Sequence, residues 1–326
     1  MKQIKLYLFA LVAMSLFMVA CSDDDDNQNL PGTGLPSVQT QSAFNRDYPG
    51  ATDVRWAQKR GYDVAYFNLP ATRVATATEQ HSAWYNTQSK RTYAKYELSL
   101  EELKQEAPAV VDAWEASTYK TEGYELDDID KKEYNNGMEP TYKLEVEKGD
   151  IEYELEYAAD GTLLSAKQDI DADDDDQEDE PAPEEILDFL QFNLPNAQIL
   201  DVDFEDDENE TPHFEVEISI LRDGKRIEAE VIFAENHEFK AIIEEIDDDD
   251  FEDTAILPEA VYAKAVELAQ QVEKGEIDKI LKVYTSIEAF NNAEDPYYCI
   301  VIEGEDAQGE EIESFFMVNK VGEIIR

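Results

Sequence analysis

The sequence predicts an α+β protein in which short helices alternate with antiparallel sheets. Three observations indicate this class: stretches of strict apolar/charged alternation, Gly and Asp between those stretches, and an amphipathic segment before each group of them. Alternation with a period of two is typical of strands with one buried face. Such a sheet needs a cover, and the amphipathic segments supply one.

The clearest strands lie in the range 141–170. Tyr142, Leu144 and Val146 alternate there with Lys and Glu, and the alternation resumes after Asp150. Gly and Asp in the two intervening turns suit tight hairpins. We therefore expect a three-stranded meander, preceded by a covering helical segment at 99–116.

The same plan occurs four times along the chain. A residue that starts helices opens three of the units, with acidic residues in the first turn that follows. The units run from about Ser37 to Glu97, Ser99 to Ile170, Pro183 to Asp247 and Pro258 to Arg326. Tandem helix-plus-antiparallel-meander repeats, four units in all, predict two α+β domains that each contain a pair.

Composition places the domain boundaries. One acidic stretch has no apolar periodicity and too much like charge to pack, so we expect it to link the domains. The predicted segments are a signal peptide at 1–20, a flexible acidic tether at 21–36, domain 1 at 37–170, an acidic linker at 171–182 and domain 2 at 183–326.

The N-terminus carries a targeting signal. Lys2 and Lys5 precede an almost wholly apolar stretch from Leu6 to Ala20, and Cys21 follows where a bacterial lipoprotein would be lipidated. We expect Cys21 to become the lipid-anchored N-terminus, which would be the chain's only membrane contact. The alternative is a plain secretory signal with an incidental Cys.

The residues after Cys21 predict the destination. They resemble the acidic signal by which some Gram-negative bacteria export lipoproteins to the cell surface; the alternative is a solvated tether. The expected export residues are Ser22, Asp23, Asp24, Asp25 and Asp26. We therefore expect a lipid anchor in the outer membrane and exposure at the cell surface.

Net charge excludes some partners. The formal charge of −50 at pH 7 repels phosphate backbones and anionic lipid headgroups, so nucleic acid is not an expected partner. Cations and basic proteins remain open as partners.

Catalytic motifs are not evident in the sequence. His81, His213 and His237 are scattered, and Cys299 lies in a strand-like run where a buried thiol is typical. We expect neither an enzyme nor a cofactor.

Calcium is the main chemical alternative. Acidic residues from Asp169 to Glu180 fall near the spacing of an EF-hand loop, but Asp174 stands where the loop requires Gly, and Pro181 opposes the helix that should follow. We assign no metal ligands, although the acidic runs leave weak divalent-cation binding open.

The combined pattern resembles a known family. A short helix, a meander of the type YKLEVEKGDIEYELEYAADGTLL, tandem duplication and a lipoprotein signal are similar to PepSY-like proteins of the β-lactamase-inhibitor-protein fold. The resemblance covers most of the chain from Ser37, best at 141–170 and 213–246. It implies α+β repeats whose sheets offer a surface for protein binding, without catalysis. We therefore expect a non-enzymatic module that is either protein-binding or inhibitor-like. A glycan-binding accessory lipoprotein is the other alternative.

The first unit contains the predicted partner-binding residues. It has eight basic and four acidic residues from Ser37 to Tyr96, in a chain that is otherwise strongly acidic, and it is rich in aromatics. Aromatic and Arg residues together are typical of contact patches, so we expect an unknown envelope protein or glycan to bind there. The alternative is that the aromatics fill the core. The candidate contact residues are Phe67, Trp84, Tyr85, Arg60 and Arg91.

Two further surface features are expected. Asp253-Thr254-Ala255 resembles an O-glycosylation site of exported Gram-negative proteins, which makes Thr254 a candidate for modification. Glutamates on the open sheet face of the second and third units should keep that face hydrated. These are Glu145, Glu147, Glu152, Glu154, Glu215 and Glu217.

Overall fold

The protein folds into two compact units in the computed structural model. The structure describes residues 35–69, 81–135, 137–149, 151–169, 181–206, 211–222, 224–246, 250–251, 253–305 and 311–325. Described residues up to Leu200 form the first unit, and those from Asp201 form the second. No helix in these ranges has the length and apolar character that crossing a membrane requires.

The first unit contains an eight-stranded antiparallel sheet in which neighbouring strands are consecutive in sequence. The predicted meander at 141–170 corresponds to its last three strands. The elements are α1 (Val38–Asp47), β1 (Thr52–Lys59), β2 (Tyr62–Asn68), β3 (His81–Tyr85), β4 (Arg91–Glu97), α2 (Leu100–Glu106), α3 (Pro108–Ala116), α4 (Thr118–Glu122), β5 (Glu125–Tyr134), β6 (Thr141–Lys148), β7 (Ile151–Ala158), β8 (Leu163–Asp169) and α5 (Glu184–Asn193).

The second unit contains a seven-stranded antiparallel sheet, again in sequential order. Its first strand begins just before the boundary between the units. The elements are β9 (Gln198–Glu205), β10 (His213–Arg222), β11 (Lys225–Ala234), β12 (Phe239–Ile246), α6 (Glu259–Ala269), β13 (Glu273–Tyr284), α7 (Ile287–Asn291), β14 (Tyr297–Glu305) and β15 (Glu311–Val318). Two antiparallel sheets and seven helices in the described ranges confirm the predicted α+β class.

Helices α1 to α4 pack on one face of the first sheet. Under α1, the ring of Phe44 meets Phe67 with centroids 5.0 Å apart. Under α2 and α3, the buried side chains of Leu103 and Trp114 join a core with Leu144 and others from β5 to β7. We call the face without these helices the second face of the sheet. Alternation along each strand divides its side chains between the two faces.

Local sequence explains where these helices begin and end. The Ser99 hydroxyl accepts from the Glu102 amide at 3.3 Å, and the Glu102 carboxylate accepts from the Ser99 amide at 3.0 Å, which forms a capping box for α2. The segment expected to form one helix from 99 to 116 is divided into α2 and α3. Pro108 causes the break, because it lacks an N–H to continue α2 and instead begins α3.

Four turns share one hydrogen-bond pattern. In each, the first amide donates to the fifth carbonyl and the fourth amide donates back to the first carbonyl, at 2.7–3.0 Å. The turns are 86–90, 158–162, 234–238 and 319–323. The fourth residue has a positive φ every time, and these residues are Ser89, Gly161, His237 and Gly322. The same local geometry therefore recurs once in each predicted unit.

Three of these turns contact the first turn of a helix. The Ser89 hydroxyl lies 2.9 Å from that of Thr40 in α1. A Cβ on Gly161 would lie 2.4 Å from the Ala109 carbonyl oxygen in α3, and a Cβ on Gly322 would lie 2.5 Å from the Ala260 oxygen in α6. Close approach of the turn to the helix therefore requires glycine at both positions.

The boundary between the units differs in place from the one expected from composition. The units divide between Leu200 and Asp201, so α5 belongs to the first unit. Composition instead places the boundary in the acidic linker at 171–182, most of which lies outside the described residues. The predicted domain limits stay a prediction.

Candidate binding surface on the first sheet

Two of the predicted contact aromatics lie in the core beneath α1. Phe67 is 1% exposed and Tyr85 is 0% exposed. The Tyr85 hydroxyl donates to Asp47 at 3.1 Å, and burial together with the negative charge of Asp47 raises the pKa of Tyr85. The expectation that these side chains lie on an open face is wrong, because α1 covers that face.

Trp84 points to the second face but is also buried. It is 1% exposed and forms a small cluster with Val64 and Tyr93. The Tyr62 ring packs against Trp84 with centroids 5.9 Å apart. The expectation that Trp84 forms an open contact patch is therefore wrong as well.

The segment 183–200 explains this burial. The Glu184 carboxylate accepts from Lys90 Nζ at 2.6 Å and from Asn86 Nδ2 at 3.1 Å, at the turn between β3 and β4. At the other end of the segment, the Leu200 carbonyl accepts from Lys132 Nζ on the second face at 2.9 Å. A helix that opens the predicted second domain thus lies against the first sheet, with Glu184 beside Tyr62, the residue that packs on Trp84.

The two predicted basic contacts have different surroundings. Arg91 donates to the hydroxyls of Tyr48 and Tyr96, each at 2.8 Å, and to Glu133 at 2.6 Å. This internal network joins β4 to β5 and to the end of α1, so Arg91 does not form an open rim. Arg60 is exposed in the turn between β1 and β2, with a φ of 44°.

Of the remaining residues singled out in the sequence, the structure describes Cys299 and Thr254 but not the N-terminal ones. Cys21 and the export residues Ser22 to Asp26 lie outside the described residues. Cys299 is buried, which raises the pKa of its thiol to about 12 and makes it a poor nucleophile. Thr254 is exposed in a turn before α6, and its glycosylation stays a prediction.

Six glutamates were expected to line an open sheet face. This expectation is correct for the four in the first sheet and wrong for one of the two in the second. The four predicted glutamates of β6 and β7 are exposed or half-buried. Glu217 is half-buried, whereas Glu215 is only 4% exposed. Its carboxylate lies 3.0 Å from Nε2 of His213, which is buried as well.

Six carboxylates form two parallel rows across β5, β6 and β7, and we call this set the acidic grid. Each row has a glutamate of β6 at its centre, Glu147 or Glu145, which is paired in register with one acidic residue of β5 and one of β7. The rows are Glu125–Glu147–Glu152 and Asp128–Glu145–Glu154. Like charges therefore stand directly opposite one another at four cross-strand positions, which is a destabilising arrangement.

Lysines compensate only part of this repulsion. Lys143 Nζ lies 2.8 Å from the carboxylates of both Glu145 and Glu154. Glu125 and Glu147 are exposed, and within the described ranges neither has a Lys or Arg nitrogen within 4 Å. Glu125 and Glu147 therefore present negative charge to solvent with no Lys or Arg of the described ranges paired to them.

Two carboxylates of the grid and the neighbouring Asp130 lie close enough to share a cation. Oxygens of Asp128, Asp130 and Glu145 all lie within 4.8 Å of one another. Burial raises the pKa of Asp130 to about 6, although Lys95, 2.7 Å away, opposes the shift. Lys95 and Lys143 already neutralise two of these carboxylates, so a metal ion would have to compete with both ammonium groups.

Comparisons with solved structures show similar chains. A BLIP-like protein from Bacteroides fragilis is 27% identical over 49% of this chain and 100% of its own, with a TM-score of 0.37. A DUF2874 family protein from Bacteroides uniformis is 20% identical over 41% of this chain and 90% of its own, with a TM-score of 0.33. A candidate periplasmic protein from Bacteroides eggerthii is 19% identical over 43% of this chain and 94% of its own, with a TM-score of 0.35.

A BLIP-like protein and DUF2874 family proteins are therefore among the solved structures to which this chain is similar. No family model matches the chain. No curated protein matches it either.

Proposed function

We propose that this chain is a non-enzymatic binding protein of the cell envelope, which uses the acidic grid to bind a basic region of a protein partner. One observation carries the proposal: six carboxylates, two exposed and four half-buried, face each other in register on one part of a sheet. The partner is defined here by its chemistry, as a surface or segment rich in Lys and Arg.

Energetics support a cationic partner. Directly opposed like charges each cost up to about 1 kcal/mol, and the free protein offsets this cost at only some positions. A basic partner would supply the missing cations, so its contacts would relieve repulsion as well as form ion pairs. The overall charge of −50 would also speed the approach of a basic partner.

The proposed function includes a repeat architecture. We infer that the chain consists of four copies of one helix-plus-meander unit, paired into two domains. The four turns with one hydrogen-bond pattern support this inference, as does their spacing of one per predicted unit. Sheets built from repeated hairpins would provide the broad faces on which such a protein binds partners.

The anchor is also part of the proposal. Cys21 carries the lipid, and Ser22 to Asp26 direct the protein to the outer face of the outer membrane. The apolar stretch from Leu6 to Ala20 and the acidic run after Cys21 support this placement. A binding protein displayed in this way would meet partners outside the cell.

A divalent cation is the second candidate ligand. The closeness of Asp128, Asp130 and Glu145 favours it, because carboxylate oxygens are the ligands that Ca²⁺ prefers. Calorimetric titration with CaCl₂ tests it, with Glu145→Gln as the variant. Equal heats for the wild type and the variant would reject this triad as the site.

Capture from a detergent extract of the native envelope tests the main proposal. The double substitution Glu147→Lys/Glu152→Lys reverses two opposed charges of the grid. Asp112→Lys/Glu115→Lys makes the same change in net charge on exposed residues of α3, in the same unit. We expect a basic protein, identified by mass spectrometry, to be retained by the wild type and the α3 variant and lost from the grid variant.

Two results would overturn the proposal. One is retention of the same protein by all three forms, which would place binding elsewhere. The other is loss from both variants, which would show that net charge rather than the grid drives capture. Circular dichroism of each form establishes that both variants are folded.

A further inference from the structure

His81 is a buried histidine with one unsatisfied ring nitrogen within the described part of the chain. It is the first residue of β3, its side chain is 4% exposed, and Nδ1 has no partner among the described residues. Its ring lies between those of Phe67 and Tyr96, at centroid distances of 5.6 and 5.8 Å. Buried polar atoms usually have partners, so this one requires an explanation.

The neutral form suits this environment better than the charged form. A charged imidazole carries an N–H on both nitrogens, so Nδ1 would become a buried donor without an acceptor. A buried charged donor without an acceptor costs more than a neutral one. The rings of Phe67 and Tyr96 offer no carboxylate that could accept from it.

The charged groups around His81 come from three elements. From α2, Glu102 favours the protonated form. From β4, the Tyr96 hydroxyl is held by Arg91 at 2.8 Å, and from β5, Lys131 Nζ lies 5.4 Å from the centre of the Tyr96 ring. The neighbour from β2 is the apolar Phe67. Glu102 is therefore the charged group that opposes the effect of burial on His81.

We propose that His81 makes the first unit acid-sensitive, because its proton uptake disrupts the packing of Phe67 and Tyr96 beneath the end of α1. Phe67 contacts Tyr48 at the end of α1 with centroids 4.4 Å apart, and the Tyr96 hydroxyl lies 2.9 Å from that of Tyr48. Disturbance at His81 would thus reach the contacts that hold α1 on the sheet.

The sign of the effect follows from the direction of the shift. Burial lowers the pKa of His81 below its ordinary value, with Glu102 as a smaller opposing influence. The unfolded chain therefore takes up this proton at a higher pH than the folded protein does. Stability contributed by neutral His81 is complete above about pH 6.5 and is lost as the pH falls below that value.

Urea unfolding followed by tryptophan fluorescence tests this proposal. All three Trp residues of the chain, Trp56, Trp84 and Trp114, lie in the first unit, so the signal reports that unit alone. As the pH is lowered from 7.5 to 5, we expect the urea concentration at the midpoint of unfolding to decrease more for the wild type than for His81→Phe or His81→Gln. Two substitutions of different polarity keep the test valid if one variant fails to fold.

His237→Gln is the matched control. His237 is a half-buried histidine of the second unit, so its loss should leave the pH dependence of the fluorescence transition unchanged. Proton NMR of the folded wild type gives a second readout, in which the His81 ring should titrate below pH 6.5. Parallel pH dependence in the wild type and both His81 variants would overturn the proposal, as would titration of His81 at or above pH 6.5.

Discussion

Aromatic residue type alone did not reveal which side chains are exposed. Phe67 and Tyr85 interrupt strict alternation in β2 and β3, which is compatible either with a contact surface or with strands covered on both faces. In the structure α1 covers one face, and the segment 183–200 lies against the other face through Glu184. Strands buried on both faces lose the alternation that marks a solvated face.

Asp130 gives a pH-dependent prediction at the residue scale. Its pKa is raised to about 6 by burial, so the folded protein holds this proton more tightly than the unfolded chain does. The stability that results is present below about pH 4 and is lost as the pH rises through about 6. Asp130→Asn should therefore become progressively more stable than the wild type between pH 4 and pH 7.

Urea midpoints from tryptophan fluorescence measure this difference. Each unit by which the folded pKa exceeds the unfolded one corresponds to about 1.4 kcal/mol. Asp112→Asn, at an exposed position on α3, serves as the control for the loss of one carboxylate. A difference for Asp130→Asn that does not change with pH would contradict the assigned shift.

At the scale of elements, the sequence predicts the strand register of the grid only where a tight turn fixes it. The tight turn around Gly149 sets the register of β6 and β7, so the opposition of Glu147 and Glu152 follows from sequence and turn geometry. The register of β5 shifts between Leu126 and Asp128, and nothing in the local sequence marks this irregularity. The places of Glu125 and Asp128 in the grid therefore required the structure.

Gly161 and Gly149 provide a matched pair of substitutions. Both have a positive φ, at 83° and 69°, but a Cβ on Gly161 would meet the Ala109 carbonyl oxygen, whereas a Cβ on Gly149 would meet nothing within 4 Å. Gly149→Ala should cost about 1 kcal/mol from backbone strain. Gly161→Ala should cost about 1–3 kcal/mol more, because the turn must move away from α3.

Urea unfolding reports both glycine variants through the same tryptophans. A larger loss for Gly161→Ala would support the view that these turns position helices on the sheet. Equal losses would show that the close approach of 158–162 to α3 relaxes without cost.

At the scale of the whole molecule, apolar/charged alternation predicted the α+β class. An acidic linker shows where a chain is solvated, but it does not show which sheet the next helix covers. Segment 183–200 follows the linker and yet packs on the first sheet through Glu184 and Leu200. Such long-range contacts depend on surfaces that no local pattern encodes.

The lipid anchor gives a prediction for the intact protein. Cells grown with an alkyne analogue of palmitate should label the wild type, and Cys21→Ser should abolish the label because it removes the only thiol of the lipidation motif. Replacement of Asp23 to Asp26 by Ala should keep the label but remove access to external protease. Labelling that persists in Cys21→Ser would contradict the anchor.

The association rate with the captured partner tests the central claim most directly. Attraction between opposite charges on two surfaces is screened by salt, with a Debye length of about 10 Å at 0.1 M and about 3 Å at 1 M. We expect the association rate of the wild type to be at least about tenfold lower at high salt than at low salt, as for other electrostatically steered associations. The rate for Glu147→Lys/Glu152→Lys should be low at both salt concentrations, while that for Asp112→Lys/Glu115→Lys should follow the wild type. A wild-type rate that does not change with salt, or a grid variant that retains the wild-type dependence, would contradict binding through the acidic grid.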